Sequence, residues 1–180
     1  MSGMRSLALL LLAAASAALL PAQEDAGTLP TWEVAAIAEN LEAQAAQAEQ
    51  ILTGIRPEKW PQAGAAAYAA QRETLLVELG HLRNSARAMA AAPERLPVVV
   101  DTFLWIDRTN SMMASMTDGV RRYQNAAVAD LLESARGQYS GGGEKLKEYM
   151  RQLAVSVDAQ MQIAHEEAQR CRTELVTRPR

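Results

Sequence analysis

Residues with obvious chemical reach are few in this chain, and they lie far apart. Glu78 and His81 stand at the Glu-x-x-His spacing by which one helix face offers two ligands to a di-iron centre. A complete centre of that kind needs a second such pair and two further glutamates. The other histidine, His165, is preceded three residues earlier by Gln162 rather than by an acid. With Leu79 and Leu82 taken as inward, His81 turns about 100° or more off the apolar stripe at about 100° per residue. A surface histidine is therefore expected there.

Met112, Met113 and Met116 form a second cluster, and together with His165 and Cys171 they are the soft donors that suit copper. A methionine and histidine pair is also an axial set for non-covalent haem. Met113, however, falls on an apolar helical stripe, and methionine is a common filler of irregular cores. Core packing is the expected role, and a copper or haem carrier is the alternative. Cys171 is the single cysteine, so no intramolecular disulfide can form. Its place on the apolar stripe of the last helix predicts a buried, inert thiol, with an intermolecular bridge or a reactive thiol as the other outcome. Covalent haem attachment is excluded by the missing Cys-x-x-Cys-His. Nucleophile-elbow, His-Glu-x-x-His and phosphate-loop patterns are absent too. The residues point away from an enzyme, and no cofactor is expected.

A third group is polar residues on stripes that should be apolar: Arg72, Asn110 and Thr117. Buried polar groups need partners. Antiparallel pairing across a turn near residues 94–95 sets Arg72 beside Asp118, with Glu49 as the other candidate. If residues 146–149 lie near Val120, Asn110 falls opposite Gln160, and a hydrogen bond between them is expected. Such layers fix register in bundles of helices. The competing role is a polar pocket for a small ligand.

What must position these residues is a set of long helices. The organising stretch runs from Leu96 to Val120, where Leu96, Val99, Phe103, Ile106, Met113 and Val120 repeat with a heptad rhythm. An earlier helix begins at Thr31, read as its N-cap, carries Val34, Ile37, Leu41, Ala45, Ala48 and Leu52, and ends at Gly54, expected in the left-handed conformation. Two prolines break the connector from Ile55 to Pro61, and Trp60 between them is expected to plug the bundle end. A second helix, from about Gln62 to Ala92, carries Tyr68, Leu75, Leu79, Leu82, Ala86 and Met89. Pro93 stops it, and Pro97 suits the first turn of the central helix. Asn125 reads as the N-cap of a short helix ended by Gly137. Tyr139 to Gly143 (YSGGG) reads as the most flexible and protease-sensitive internal loop. The last helix is expected from Glu144 to about Val176.

The expected fold is therefore all-α: an up-down four-helix bundle with one additional short helix, following a cleaved N-terminal signal peptide. The runner-up is a more open array of helical hairpins that completes its core by dimerising. Abundant alanine and scarce aromatics favour close-packed helices over a sheet. A formal net charge of −3, with both signs interspersed, gives nucleic-acid binding little electrostatic footing. Residues 1–22 have a basic start at Arg5 and an apolar run from Leu7 to Leu20, followed by Pro21 and Ala22. A run of roughly 14 residues falls short of the roughly 20 needed to span a bilayer, so it reads as a signal peptide rather than an anchor. Cleavage is expected after Ala22, with Ser16-Ala17-Ala18 as a second site. Residues 23–30 read as a disordered lead-in, 31–176 as the helical domain and 177–180 as a loose tail. The chain is expected to be periplasmic or secreted and non-catalytic, and to bind an unidentified protein or its own copy, without a stable membrane anchor after cleavage.

Overall fold

The computed structural model describes residues 29–61 and 64–177. The expected signal peptide, most of the lead-in and the terminal residues 178–180 lie outside them. The fold is all-α: four helices, α1 (Thr31–Thr53), α2 (Ala65–Ala91), α3 (Leu96–Tyr123) and α4 (Ala126–Thr177), with a short 3-10 turn at Pro57–Lys59 and no strand among the described residues. They form a bundle in which consecutive helices run antiparallel. Arg87 and Arg83 of α2 meet Glu42 and Glu49 of α1 at 2.6 and 2.9 Å, and Ser85 of α2 meets Thr102 of α3 at 2.8 Å. Arg121 of α3 meets Asp130 of α4 at 2.9 Å, and α4 closes the ring against α1 where Gly142 faces Leu41.

The core follows the heptad rule closely. α1 buries Val34, Ala38, Leu41, Ala45, Ala48 and Leu52, and α3 buries Val99, Thr102, Ile106, Thr109, Met113, Met116 and Val120, each with alternating steps of three and four. Sequence reading places Val99, Ile106, Met113 and Val120 correctly but assigns Ile37 and Phe103 inward, whereas both are only half-buried. The other half of the α3 seam is Thr102, Thr109 and Met116. The two threonines fit because their hydroxyls bond back to carbonyls one turn earlier, Thr102 to Val98 at 2.9 Å and Thr109 to Trp105 at 2.7 Å.

Two local expectations at α1 are corrected. Pro30, not Thr31, occupies the N-cap, and Gly54 leaves the helix in a right-handed conformation at φ −78°. Trp60 does close one end of the bundle. Its ring stands edge-on to Tyr68 at 5.2 Å and beside Tyr123 at 5.6 Å, and its indole N–H donates to Gln124 Oε1 at 3.3 Å. Gly119 makes room for this cluster, since a Cβ there would lie 2.7 Å from the Tyr68 ring.

The larger correction concerns the YSGGG segment. It is not a loop, and the short helix and the last helix are one: α4 runs unbroken for 52 residues. Asn125 caps it, accepting from Ala127 N–H at 2.8 Å, as its sequence position implies. Each glycine lowers helix propensity by about 1 kcal/mol against alanine, so propensity argues for a break here. Packing decides otherwise. A Cβ on Gly142 would touch Leu41 at 3.4 Å and one on Gly143 would press on Ile106 at 3.2 Å, so the missing side chains let α4 approach α1 and α3 together. Tyr139, expected in the same loop, is fully buried.

Candidate interaction surface

An unbroken α4 outruns its neighbours. α3 has 28 residues against its 52, and the contacts Arg121 to Asp130 and Ile106 to Gly143 set the register between them. The body of the bundle therefore ends near Tyr149, whose hydroxyl donates to the Pro93 carbonyl at 3.0 Å. Beyond that level lies a groove of about 470 Å³ where Leu29, Pro30 and Thr31 face Tyr149, Leu153 and Val157. From Asp158 to Thr177 every residue of α4 is exposed. At about 1.5 Å per residue, the stretch past Leu153 forms an arm of roughly 36 Å with no helix beside it among the described residues.

The arm is a good helix former, rich in Ala, Gln, Glu and Arg, and Gln162 donates to Asp158 one turn back at 3.1 Å. One face is apolar. Val157, Met161, Ala164, Ala168, Cys171 and Leu175 follow one another by alternating steps of four and three, the pattern of a coiled-coil seam. At about 100° per residue this stripe falls in the same sector, about 80° wide, as Tyr139, Gly143, Leu146 and Met150. It is thus the core-facing side of α4 carried past the end of the body. Met161 is 69 % exposed, Leu175 73 % and Val176 85 %. Asp158, His165 and Arg172 flank the stripe on one side, and Gln160, Glu167 and Glu174 on the other.

The residues singled out from the sequence are not brought together in the way expected. Met113 and Met116 are fully buried and Met112 half-buried in the body, while His165 and Cys171 are exposed on the arm. Met113 lies level with about residue 136, so His165 sits roughly 43 Å further along α4 at about 1.5 Å per residue. The methionines pack as core, as one of the two readings held. Cys171 is corrected from a buried to an exposed thiol, because its stripe has no partner among the described residues. Among the described residues no group of three or more His, Cys, Asp or Glu side chains is placed to hold a metal.

Arg72 is corrected as well. It pairs not with Asp118 or Glu49 but with Glu73 at 2.6 Å, Glu58 at 3.5 Å and the Ile55 carbonyl at 2.6 Å, tying α2 to the connector. Asp118 is exposed, and Glu49 takes Arg83 instead. Asn110 does not meet Gln160. Its Oδ1 accepts from Arg136 at 3.4 Å, and Gln160 is exposed at the foot of the arm. The assumed loop caused the error, for it let the last helix restart beside Val120, whereas the continuous α4 places Ala129 at that level. Thr117 is buried as expected, and its hydroxyl finds no partner among the described residues.

Two features were not read from the sequence. Glu78 is buried at 6 % exposure, with one carboxylate oxygen 2.6 Å from Arg108 and the other unpartnered among the described residues. Arg108 lies over Trp105 at 5.8 Å, and His81, exposed as expected, stacks on the same indole at 4.8 Å. Glu78 directly precedes Leu79 of the stripe, and an antiparallel count across a turn near residues 94–95 reaches Ser111, one helical turn from Arg108. This strip borders an open groove of about 600 Å³ between α2 and α3 that includes Asn84, Ser85 and Asp101. The second feature is the Tyr139 phenol, buried without a hydrogen-bond partner among the described residues. Burial raises its pKa far above the ordinary tyrosine range, and the nearby Glu49 charge adds to the rise.

No protein-family model, curated protein or solved structure matches the chain.

Proposed function

We propose that this is an exported, non-catalytic helical protein whose working surface is the free arm of α4, through which it binds another protein chain. The single observation that carries the reading is the seam of Val157, Met161, Ala164, Ala168, Cys171 and Leu175, half-buried at Val157 and exposed from Met161 to Leu175. A contiguous apolar stripe on an exposed surface marks an interaction site, and in proteins most helical stability comes from packing of such an apolar face. Heptad spacing is met by another helix rather than by a small molecule. Export rests on residues 1–22, with their basic start and short apolar run. No helix among the described residues is long and apolar enough to cross a membrane. The non-catalytic reading rests on the absence of any catalytic motif in the sequence.

The test is site-specific photo-crosslinking in the native cell. A photoreactive residue at Ala164, on the seam, is expected to give a discrete adduct, and one at Ala159, on the opposite face, is expected to give none. No adduct from Ala164, or equal adducts from both positions, would overturn the reading. Export is checked separately: deleting residues 1–22 is expected to leave the protein in the cytoplasm with an unchanged bundle.

A further inference from the structure

We infer that the helix covering the arm is the same arm of a second copy, laid antiparallel so that each tip seats in the groove at the foot of the other. The inference rests on the reading of the arm as the binding surface and adds the identity and direction of its occupant.

Direction follows from continuity. The seam on the arm and the core-facing side of α4 within the body are one face of one uninterrupted helix. In-register parallel pairing through that face would put the partner's α4 into the space already held by α1 and α3, so two bodies would compete for one volume. Antiparallel pairing has no such conflict. The partner's arm then lies over the open end of the body, and its own body begins where this arm stops.

The residues fit a two-fold axis midway between Ala164 and Ala168. An antiparallel seam layers a positions on d positions, so this axis sets Ala164 on Ala168, Met161 on Cys171 and Val157 on Leu175, each pair occurring twice. Large side chains thus meet smaller ones, and four alanines at the centre permit close approach of the backbones. Leu175 and Val176, among the most exposed apolar residues of the described chain, arrive at the groove of Leu29, Leu153 and Val157. Along one flank Asp158 faces Arg172 of the other copy, twice. Along the other flank Glu167 faces its own counterpart, one exposed like-charge contact against two opposite-charge ones. The interface is isologous and closed, as two-fold dimers require.

The experiment is sedimentation velocity on the purified protein over a wide concentration range, with oxidation of paired cysteines to read direction. The expected result is a species of twice the chain mass. The substitutions Ala164→Glu and Ala168→Glu together should abolish it, and Ala159→Glu should leave it intact. On mild oxidation, Met161→Cys in the presence of native Cys171 should give a covalent dimer, and Cys171 alone should not. A monomer at every concentration overturns the inference, as does a dimer indifferent to the two glutamates. Efficient crosslinking through Cys171 alone overturns the direction. A monomer that still yields a discrete adduct of different mass from Ala164 retains the arm as a binding surface and removes the second copy as its occupant. A monomer with no adduct overturns both.

Discussion

At the scale of single residues, Tyr139 is the sharpest case of a group held against its preference. A buried hydroxyl without a partner costs about 1 to 3 kcal/mol in desolvation. Tyr139→Phe keeps the ring and removes the oxygen, so it should leave the protein about 1 kcal/mol more stable at neutral pH, as read by urea unfolding. The pH dependence has a definite sign. The folded phenol titrates above the unfolded value of about 10, so its neutral form is favoured by the fold. That contribution is fully present below about pH 10 and is lost as pH rises above it, because the unfolded chain ionises first. Tyr149 is raised in the same direction, by burial first and the Glu94 charge second. Tyr139→Phe should therefore reduce, without abolishing, the loss of stability between neutral and strongly alkaline pH. An unchanged alkaline slope would show that Tyr139 is not the group responsible.

At the scale of elements, the glycines of α4 separate propensity from packing. A Cβ at Gly141 meets nothing within 4 Å, so Gly141→Ala should stabilise by up to about 1 kcal/mol. Gly119→Ala in α3 should do the reverse. Its Cβ would sit 2.7 Å from Tyr68 and 3.1 Å from Trp60, and overpacking of this kind costs about 1 to 3 kcal/mol. Thermal melts of the two variants should move in opposite directions. The same contrast marks where the sequence was legible. The α3 seam at Val99, Ile106, Met113 and Val120 could be read because apolar side chains announce it. Thr102 and Thr109 could not, because a threonine that satisfies its own hydroxyl within the helix looks like a surface residue. The run of glycines at 141–143 was misread because local composition favours a break, and only the approach of Leu41 and Ile106 shows why side chains are missing there. From that one error came the wrong partner for Asn110 and the expectation of a buried Cys171. Rapid cleavage at 139–143 under limited proteolysis would show the local preference prevailing after all. The candidate surface itself was half-visible, since an apolar stripe through Cys171 on the last helix was read, but as core.

At the scale of the whole molecule, body and arm divide the labour of stability. The body buries its seams on all four helices, whereas the arm past Asp158 buries nothing of its own. At concentrations where the chain is monomeric, removing residues 158–177 should therefore leave the body's unfolding midpoint in urea nearly unchanged while helicity by circular dichroism falls by the arm's share. A large drop in midpoint would mean that the arm supports the body. Amide exchange should report the same division in the separated chain, slow at Leu132 and Leu146 and fast toward Leu175.

Because α4 passes from body to tip without a break, the arm is also a gauge. Whatever grips its far end is held at a fixed standoff from the bundle and at a fixed azimuth. Each residue added would advance the tip by about 1.5 Å and swing it by about 100°. A seven-residue insertion would lengthen the reach by about 10 Å and restore the bearing of the seam to within about 20°. Insertions of two or five residues would turn it toward solvent. Length and bearing are thus quantised together, and spacing could be altered in this molecule only by lengths close to whole turns, such as seven or eleven residues.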